Sequence, residues 1–332
     1  MEYGDKGYPK KLLKIDNPPK QLYIKGNYSL LNNQSIAIVG SRDCTDYGLK
    51  HTLNFSSQIS KNGICVISGL ARGIDTAAHM GAKDFKGKTI AVLGCGFNKI
   101  YPPENEGLFN DIIEKGGCIV SEYAPDENVV LQNFPSRNRI IAGLSDSVLV
   151  VEARTKSGST STARHAFKQK KQVFCIPGDI DKTTSGGTNL LIQEGAYLVR
   201  NVEDILKQMN IKYKKQEIDN TIQEQQLKQS LENINGLKLN TKLKSKRAGV
   251  ENGKQESNNK LNKKQEPVHE IQRRQICKEY EKIYSVLGNN PMSSNEIYLR
   301  SGEPISEVNQ VLTMLELEGY IKVEAGNKYV LK

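Results

Sequence analysis

The sequence predicts an α/β protein, with a doubly wound parallel sheet followed by a linker and a small C-terminal domain. Over residues 1–210, short apolar runs alternate with helix-like stretches, which indicates parallel strands covered by helices on both faces. A Lys-, Gln- and Asn-rich segment follows, and residues 271–332 contain a second, shorter set of helix and strand patterns. Because ligands bind at the carboxyl ends of parallel strands, we expect the functional site at that edge of the sheet.

The apolar runs of the first domain predict the strands of the sheet in chain order. These are Ile36–Val39, Ile64–Ile67, Thr89–Leu93, Cys118–Val120, Val148–Val151, Val173–Ile176 and Tyr197–Val199. The stretches between and after them have helical spacing, which predicts helices near 46–61, 72–85, 105–115, 136–143, 160–170, 187–194 and 202–209.

Composition divides the chain into four parts: an N-terminal segment over 1–30, an α/β domain over 31–210, a linker over 211–270 and a C-terminal domain over 271–332. The net charge of +10 favours an anionic partner such as nucleic acid or a nucleotide. The linker holds 13 basic and 8 acidic side chains and buries too little apolar surface to offset its ordering entropy. We expect it to be disordered.

The C-terminal domain follows the order of a winged helix. Its predicted helices and strands are 271–288, 294–301, 305–318, Tyr320–Val323 and Lys328–Leu331. The third helix of such a module often enters the major groove of DNA, but this one carries three acidic residues and no Lys or Arg. Without cations it lacks the counterion release that drives DNA affinity, so we expect a protein-contact or regulatory role. Lys322 and Lys328 leave weak DNA contact open.

The sequence contains no run of about 18 apolar residues, and its N-terminus lacks the apolar core of a signal peptide. We therefore expect neither a membrane span nor secretion. The six cysteines form no CxxC pair, and four of them lie in strand-like runs. This pattern favours buried free thiols in a reducing compartment, and it predicts a cytoplasmic protein.

Two strand-to-helix loops are rich in small residues. Gly40-Ser41-Arg42 follows the first predicted strand, and Ser68–Asp75, which contains Gly69 and Gly73, follows the second. Small residues let a ligand approach the backbone, and helix N-termini present free N–H groups, so both loops suit an oxyanion or a phosphate. Glycines that only make the turn are the alternative, because neither loop has a dinucleotide or P-loop motif.

The segment Phe134–Ser145 contains Arg137 and Arg139 near a predicted helix start. Two positions apart, they face different sides of the first turn, so one is free to reach a ligand while the other pairs with an internal carboxylate. With Phe134 as a stacking surface and Asn138 as an amide, the segment has the side chains that bind single-stranded nucleic acid. A charge pair beside a core phenylalanine is the alternative interpretation.

Two further loops of this kind follow the strands Val148–Val151 and Val173–Ile176. The first is dense in hydroxyl groups, contains Lys156 and leads into a helix with a basic outer face. Because parallel strands end at one edge of the sheet, the four loops predict a single anion-binding crevice. At its mouth we expect Arg42, Arg137 and Arg139.

The motifs IAIVGSR, ISGLARGIDTAAH, FPSRNRIIAGLS, VVEA with SGST, and IPGDI with SGGTNLLIQEGA occur in this order. Over about residues 8–205 they resemble the DNA-processing protein A family, also called DprA or Smf. The resemblance implies an extended Rossmann-like domain and a homodimer. It also implies binding of single-stranded DNA, protection of incoming DNA and loading of the RecA recombinase in transformation and recombination.

The resemblance further implies residue roles. Arg42 would contact DNA phosphate, and the segment from Phe134 to Arg139 would line the DNA pocket. The loop Ser157–Thr160 would supply backbone and hydroxyl donors, although Thr160 replaces an apolar residue expected in the family. The basic end of the following helix would border the pocket. The candidate nucleic-acid-binding residues are Ser41, Arg42, Gly69, Phe134, Arg137, Asn138, Arg139, Lys156, Ser157, Gly158, Ser159, Lys168, Lys170 and Lys171.

Catalytic and metal chemistry have little support in the sequence. The four histidines lie at no metal-ligand spacing, and Asp75 with His79 provides only two groups on one helix face. Rossmann-like nucleotide-binding phosphoribohydrolases use a glutamate in a loop that corresponds to Lys156–Ala163, which contains none. We expect no enzyme activity, no metal and no cofactor. A phosphoribohydrolase and a winged-helix transcription regulator are the alternatives.

Overall fold

The computed structural model of the protein describes residues 1–212, 281–288, 290–303, 305–317, 320–324 and 328–331. The chain divides into two units, Met1–Glu251 and Asn252–Lys332. The predicted linker lies almost entirely outside the described residues, as does the tip of the predicted hairpin. The linker's disorder and the boundaries of the four predicted parts therefore stay predictions.

An eight-stranded sheet forms the centre of the first unit. Its strands are β1 (Tyr23–Gly26), β2 (Ser35–Val39), β3 (Cys65–Ser68), β4 (Thr89–Leu93), β5 (Cys118–Ser121), β6 (Ser147–Val150), β7 (Gln172–Cys175) and β8 (Tyr197–Leu198). Across the sheet the order is β1-β5-β4-β3-β2-β6-β7-β8, and only β1 runs antiparallel to its neighbour. The predicted doubly wound, mostly parallel α/β fold is confirmed.

Strand β1 has no counterpart in the prediction from sequence. Its Tyr23 and Ile24 are half-buried, and its last two residues are exposed, so it lacks the apolar run that marks the other strands. It forms by pairing with β5, with Tyr23 opposite Ser121 and Gly26 opposite Cys118. An antiparallel strand at a sheet edge tolerates solvent on one face. The N-terminal segment thereby contributes a strand to the sheet.

Helices cover both faces of the sheet. Those described in this unit are α1 (Asp46–Lys61), α2 (Ile74–Ala82), α3 (Glu106–Glu114), α4 (Asn133–Leu144), α5 (Gly158–Lys168), α6 (Gly186–Gln193) and α7 (Val202–Gln208). Alternate side chains of β2 point to opposite faces of the sheet. Ile36 and Ile38 join the core under α1, α2 and α7. Ala37 and Val39 join the core under α4, α5 and α6. Within the described residues, no helix has both the length and the apolar character needed to cross a membrane.

The strand order reverses between β2 and β6. The loops that follow these two strands meet there, because the backbone N–H of Ser41 donates to the carbonyl oxygen of Glu152 at 2.8 Å. In open α/β sheets, ligands bind outside the carboxyl ends of the strands at this point of reversal. The carboxyl edge, meaning the loops that follow β2, β3, β4 and β6, is therefore the place to look for a site.

The second unit is small and built of short elements. They are α8 (Glu281–Val286), β9 (Met292–Ser293), α9 (Ser294–Ser301), α10 (Ile305–Leu317), β10 (Ile321–Glu324) and β11 (Lys328–Leu331). The strands form an antiparallel sheet in the order β10-β11-β9. Ser293 and Glu296 form a capping box that starts α9, and Gly302 ends this helix with a φ of 71°. The helices and the two hairpin strands follow the predicted order, although residues 271–280 of the first predicted helix lie outside the described residues; strand β9 was not predicted.

Candidate nucleic-acid interface at the carboxyl edge

Arg42 follows β2 at the carboxyl edge and is exposed. Its guanidinium carbon lies 5.9 Å from the centre of the Phe134 ring, which belongs to the first turn of α4 and is 8% exposed. Gly94, after β4, makes room for this ring, since a Cβ there would lie 2.8 Å from Phe134 Cδ1. The cation–π contact holds the positive charge of Arg42 on an aromatic support at the rim of the sheet.

Arg137 lies below this rim, in the interior. It is 3% exposed, and its Nη1 donates to the carbonyl oxygen of Gly69 at 2.7 Å and to that of Val92. A Cβ at position 69 would lie 2.5 Å from Arg137 Nη2. Position 69 therefore needs a glycine to make room for this arginine, and not for a ligand. The expectation that Arg137 stands at the mouth of a crevice is wrong, because backbone carbonyls enclose its guanidinium.

Asp75 is the carboxylate beside Arg137. It is 7% exposed and accepts a hydrogen bond from the N–H of Gly69 at 3.1 Å. Burial raises the pKa of Asp75, and the positive charges of Arg137 and Arg42 oppose that rise. Burial also lowers the pKa of Arg137 to about 10, against the stabilising charge of Asp75. The two buried groups lie within electrostatic range of each other, and both bond Gly69, which fixes the loop after β3.

His79 supports the same loop from helix α2. It is fully buried, its Nε2 accepts from the N–H of Leu70 at 3.3 Å, and its Nδ1 contacts Thr89 Oγ1 at 2.8 Å. Since the Thr89 hydroxyl donates to the carbonyl of Val66, the proton of a neutral His79 belongs on Nδ1. Burial, with a contribution from Arg137, lowers the pKa of His79 to about 3, so the ring is neutral at physiological pH.

Arg139 is also internal. It pairs with Glu122 at 2.6 Å, donates to the carbonyl of Asn17 at 2.9 Å, and is 9% exposed. For Phe134 and Arg139 the structure therefore agrees with the alternative given for this segment, in which an arginine forms an internal charge pair beside a core phenylalanine. Arg139 borders a cavity of about 520 Å³ between the N-terminal segment, α4 and α5. Its lining is Asp16, Asn17, Glu122, Tyr123, Ser136, Arg139, His165, Lys168 and Gln169.

The starts of α1 and α5 differ in what satisfies their N–H groups. At α1, the Glu152 carboxylate accepts from the N–H of Thr45 at 2.9 Å and from its hydroxyl at 2.5 Å, so the chain supplies its own anion. At α5, Ser157 and Thr160 form a capping box, which explains a threonine in place of an apolar residue. Gly158 is exposed, and the start of α5 is open to an external anion.

Exposed cations surround the open start of α5. Arg154 and Lys156 precede the helix and Arg42 lies across the strand reversal; all three are exposed, and within the described residues none pairs with a carboxylate. Ser41 and Ser157 are half-buried beside them. The other predicted members of the loops are structural: Ser159 is 8% exposed and contacts the Ser157 hydroxyl, and Asn138 donates to the carbonyl of Gly158 at 3.1 Å.

Of the three lysines predicted to border the pocket, Lys168 lines the cavity beside Arg139, whereas Lys170 and Lys171 do not. Helix α5 starts at the carboxyl edge and ends at the opposite, amino edge, about 16 Å away for its 11 residues. Lys168 and Lys170 stand at that far end and are exposed. Lys171 donates to the carbonyls of Ala142 and Gly143, at 2.7 Å each. The expectation that this basic end borders the pocket of the Phe134–Arg139 segment stays a prediction: Lys168 lines the cavity beside Arg139, whereas Lys171 is bonded to the end of α4.

Reasoning from sequence missed Glu152, Asn105 and Tyr101. Glu152 had a usable signal, since an acid directly after β6 faces the start of α1 once β2 and β6 are neighbours. Asn105 is 2% exposed and donates to the carbonyl of Leu70 at 2.8 Å and to Thr76 Oγ1 at 2.9 Å. The Tyr101 ring lies 5.5 Å from the Phe134 ring. For these two residues the sequence carries no local signal.

An open α/β sheet whose carboxyl edge bears a free helix start and, within the described residues, unpaired cations defines a protein of the doubly wound class with a candidate oxyanion site. Within the described residues, no cluster of three His, Cys, Asp or Glu side chains is able to hold a metal ion. Residues 1–210 match the family model described as DNA recombination-mediator protein A, and residues 277–327 match that of the DprA winged helix domain. The chain belongs to this DprA/Smf family of recombination mediators, and the winged-helix prediction is confirmed.

Relatives from several bacteria support the assignment. The chain is 45% identical to DNA processing protein DprA of Streptococcus pneumoniae over 202 residues, covering 61% of this chain and 71% of the other. It is 43% identical to protein Smf of Escherichia coli over 202 residues, which covers 61% of this chain. The match spans 54% of the E. coli protein, about half its length.

Two solved structures have the same fold. The X-ray structure of DprA from Streptococcus pneumoniae superposes with a TM-score of 0.60 at 43% identity, over 62% of this chain and 72% of that one. A structure of DNA processing protein A from Helicobacter pylori, described for its single-stranded DNA binding mode, superposes with a TM-score of 0.56 at 35% identity. It covers 60% of this chain and 92% of the other.

Proposed function

We propose that this protein binds single-stranded DNA at the carboxyl edge, protects incoming DNA and helps to load RecA recombinase in transformation and recombination. The observation that carries the proposal is the group of three exposed, unpaired cations, Arg42, Arg154 and Lys156, around the open start of α5. Membership of the recombination-mediator family supports it, and so does the Helicobacter pylori relative described for single-stranded DNA binding.

In this mechanism, phosphates carry most of the affinity. Arg42 and Lys156 contact successive phosphates, and the first N–H groups of α5, at Gly158 and Ser159, donate hydrogen bonds to another phosphate oxygen. The hydroxyls of Ser41 and Ser157 add donors beside them. Arg137 and Asp75 make no contact with DNA; they hold the loop after β3 so that Arg42 stays on its aromatic support. Contacts of this kind recognise backbone, so sequence preference is low.

We infer that the protein performs no covalent chemistry. Glu152, the acid nearest the start of α5 in sequence, is 5% exposed and fully used in capping α1. His79 is buried and neutral, away from any solvent-exposed nucleophile. The phosphoribohydrolase alternative therefore lacks its acid in this region. Incubation with nucleoside monophosphates should release no free base.

The same proposal includes a homodimer in the cytoplasm. Strand β8 ends the sheet, and its Tyr197 and Leu198 are 43% and 48% exposed, which leaves an edge open to a second copy. Five cysteines in the described residues are buried free thiols, as a reducing compartment allows. Two DNA sites in one dimer would raise the avidity for a single strand.

Binding of an unstructured oligothymidylate to the full chain, followed by fluorescence anisotropy over a salt series, tests the proposal. Arg42→Ala should weaken binding at least about tenfold and flatten the salt dependence, because one phosphate contact is lost. Lys115→Ala removes an equal charge at the amino edge, where Lys115 is 54% exposed, and should change affinity less than about twofold. Equal affinity of wild type and Arg42→Ala would remove the proposal. RecA assembly on the same DNA should lose its stimulation with Arg42→Ala.

A further inference from the structure

Tyr101 is an aromatic residue at the carboxyl edge to which the proposed function gives no role. It is half-buried in the loop between β4 and α3, and its ring centre lies 5.5 Å from that of Phe134, with the planes tilted by 52°. Arg42 lies over the same Phe134 ring, at 5.9 Å. Arg42, Phe134 and Tyr101 thus form one continuous row of a guanidinium and two rings.

Within this row, Phe134 is the member least able to meet a base. Only 8% of it is exposed, and Arg42 lies over its ring. Tyr101 keeps part of its ring at the surface, and within the described residues its hydroxyl makes no hydrogen bond. A base that enters beside Arg42 therefore finds its aromatic surface on Tyr101.

The loop that carries Tyr101 is held rigidly against the loop after β3. Asn105 donates to the carbonyl of Leu70 at 2.8 Å and to Thr76 Oγ1 at 2.9 Å. Leu70 itself has a φ of 57°, a left-handed conformation that a non-glycine residue adopts only when its surroundings enforce it. The ring of Tyr101 is thus positioned before any ligand arrives, which lowers the entropy cost of stacking.

A cation accompanies the ring. Arg72 has a side chain that is 46% exposed and pairs through Nε with Glu104 Oε1, in the same loop as Tyr101. Both Tyr101 and Asp43, the neighbour of Arg42, lie within electrostatic range of the Arg72 guanidinium. Because Nε is bonded to Glu104, the guanidinium of Arg72 is tied to the loop of Tyr101 and keeps its positive charge beside it.

We propose that Tyr101 and Arg72 form a second nucleotide-binding position next to Arg42, in which Tyr101 stacks on one base and Arg72 contacts the adjoining phosphate. The ligand is single-stranded DNA of any sequence, because every base offers a ring face. This inference rests on the proposed function and extends it from the strand reversal at β2 and β6 to the loops after β3 and β4. A duplex, whose bases are already stacked, gains nothing from this position.

The absence of tryptophan from the chain permits a direct test of the stacking. Tyr101→Trp creates a single indole fluorophore in the full-length protein, and addition of oligothymidylate should quench its emission. The quenching should saturate at the same DNA concentration as the anisotropy signal. Tyr28→Trp is the matched control, since Tyr28 is 64% exposed and follows β1 at the amino edge, and its emission should not change. Binding of DNA without quenching at position 101 would overturn the inference.

Substitutions separate stacking from a merely structural role. Tyr101→Leu should weaken binding of single strands at least about fivefold, whereas Tyr101→Phe should bind as wild type, because the ring and not the hydroxyl is used. Arg72→Gln should reduce the slope of log affinity against log salt by about 0.7. Thermal unfolding of each variant shows whether the fold is kept, and the fluorescence of Tyr101→Trp decides the question if Tyr101→Leu is unstable.

The outcomes distinguish this inference from the function on which it rests. If Arg42→Ala loses affinity while Tyr101→Leu, folded as wild type, and Arg72→Gln keep theirs, the second position is wrong and the proposed function stands. If Arg42→Ala leaves affinity unchanged, the proposed function itself is wrong. A loss on duplex DNA equal to that on single strands would also contradict the stacking role.

Discussion

The amino and carboxyl edges of the central sheet both carry lysine and arginine side chains, but their charges serve different purposes. At the amino edge, Lys11 donates to Asp146 at 2.7 Å, and Lys171 donates to two carbonyls at the end of α4. At the carboxyl edge, Arg42 and Lys156 are exposed and, within the described residues, have no carboxylate partner. Lys11 and Lys171 are bonded within the protein, whereas Arg42 and Lys156 are available to a ligand.

The direction of the helices explains the contrast. Helices that connect parallel strands end at the amino edge, where their last carbonyls lack partners and accept hydrogen bonds from cations such as Lys171. The same helices begin at the carboxyl edge, where free N–H groups need acceptors. At the start of α1 the acceptor is the carboxylate of Glu152. At this edge Arg137 and Arg72 are bonded within the protein. Arg42 and Lys156 satisfy no internal group in the part of the chain that the structure describes, and they leave their charges available beside the start of α5.

The largest expected effect on stability concerns Arg137, the buried cation beneath the carboxyl edge. Arg137→Met takes a positive charge away from buried Asp75 and removes two hydrogen bonds to strand-end carbonyls, so it should lower the free energy of unfolding by about 3–5 kcal/mol in urea denaturation. Adding Asp75→Asn should recover part of the loss, because no uncompensated charge then stays buried. A loss below about 1 kcal/mol for Arg137→Met would mean that Arg137 is not a structural cation.

The next effect depends on pH. The pKa of His79 is about 3 in the folded protein and about 6.5 when unfolded, so the unfolded state takes up the proton first as the pH falls. The stability that neutral His79 provides is complete above about pH 6.5 and is lost progressively below it. From pH 7 to pH 5 the free energy of unfolding should fall by about 2 kcal/mol through this group. His79→Gln should flatten that dependence; an unchanged pH profile would count against a buried neutral imidazole.

A smaller effect is expected at the amino edge. Lys171→Met removes two hydrogen bonds to the end of α4 and also a partly buried charge, whose pKa burial lowers to about 8. The net loss of stability should be about 1–2 kcal/mol, measured by urea denaturation. Affinity for oligothymidylate should stay within about twofold of wild type. A variant of full stability that binds DNA poorly would place Lys171 in the interface after all.

The smallest effect compares one exposed lysine from each edge. Lys156→Gln should weaken binding of single strands about two- to threefold and reduce the salt slope by about 0.7, since one exposed phosphate contact is removed. Lys170→Gln, at the far end of α5, should leave both quantities unchanged. If Lys170→Gln has the larger effect, the bound strand runs along the helix face instead of the carboxyl edge.

Local signals were sufficient for most of the secondary structure. Helix α1 occupies 46–61 as predicted, since Thr45 caps it and its apolar positions repeat at helical spacing. Helix α4 begins at Asn133, three residues before the predicted 136, because Pro135 lies in the first turn, where no N–H is needed. Strand β1 escaped prediction because its pairing with β5, and not its composition, makes it a strand.

For the candidate site, the sequence predicted the location of the loops but not the burial of every residue in them. The carboxyl edge, Arg42, Lys156 and the start of α5 followed from strand-to-helix loops, which all parallel sheets place at one edge. The burial of Arg137 and Arg139 could not be predicted from the sequence. Whether an arginine faces solvent or backbone carbonyls depends on which strand ends surround it in the folded protein. The position of Lys170 and Lys171 at the amino edge had an available signal, since a helix after β6 must run back to that edge.

The sequence by itself determined the alternation of strands and helices, the loops rich in small residues and the excess of positive charge, because these depend on neighbours along the chain. Only the tertiary structure decided which charged side chains are buried and bonded inside the protein. Arg137 meets Gly69, 68 positions away, and Glu152 meets Thr45, 107 positions away. Burial of a charge is settled by such distant partners, and the folded sheet is what brings them together.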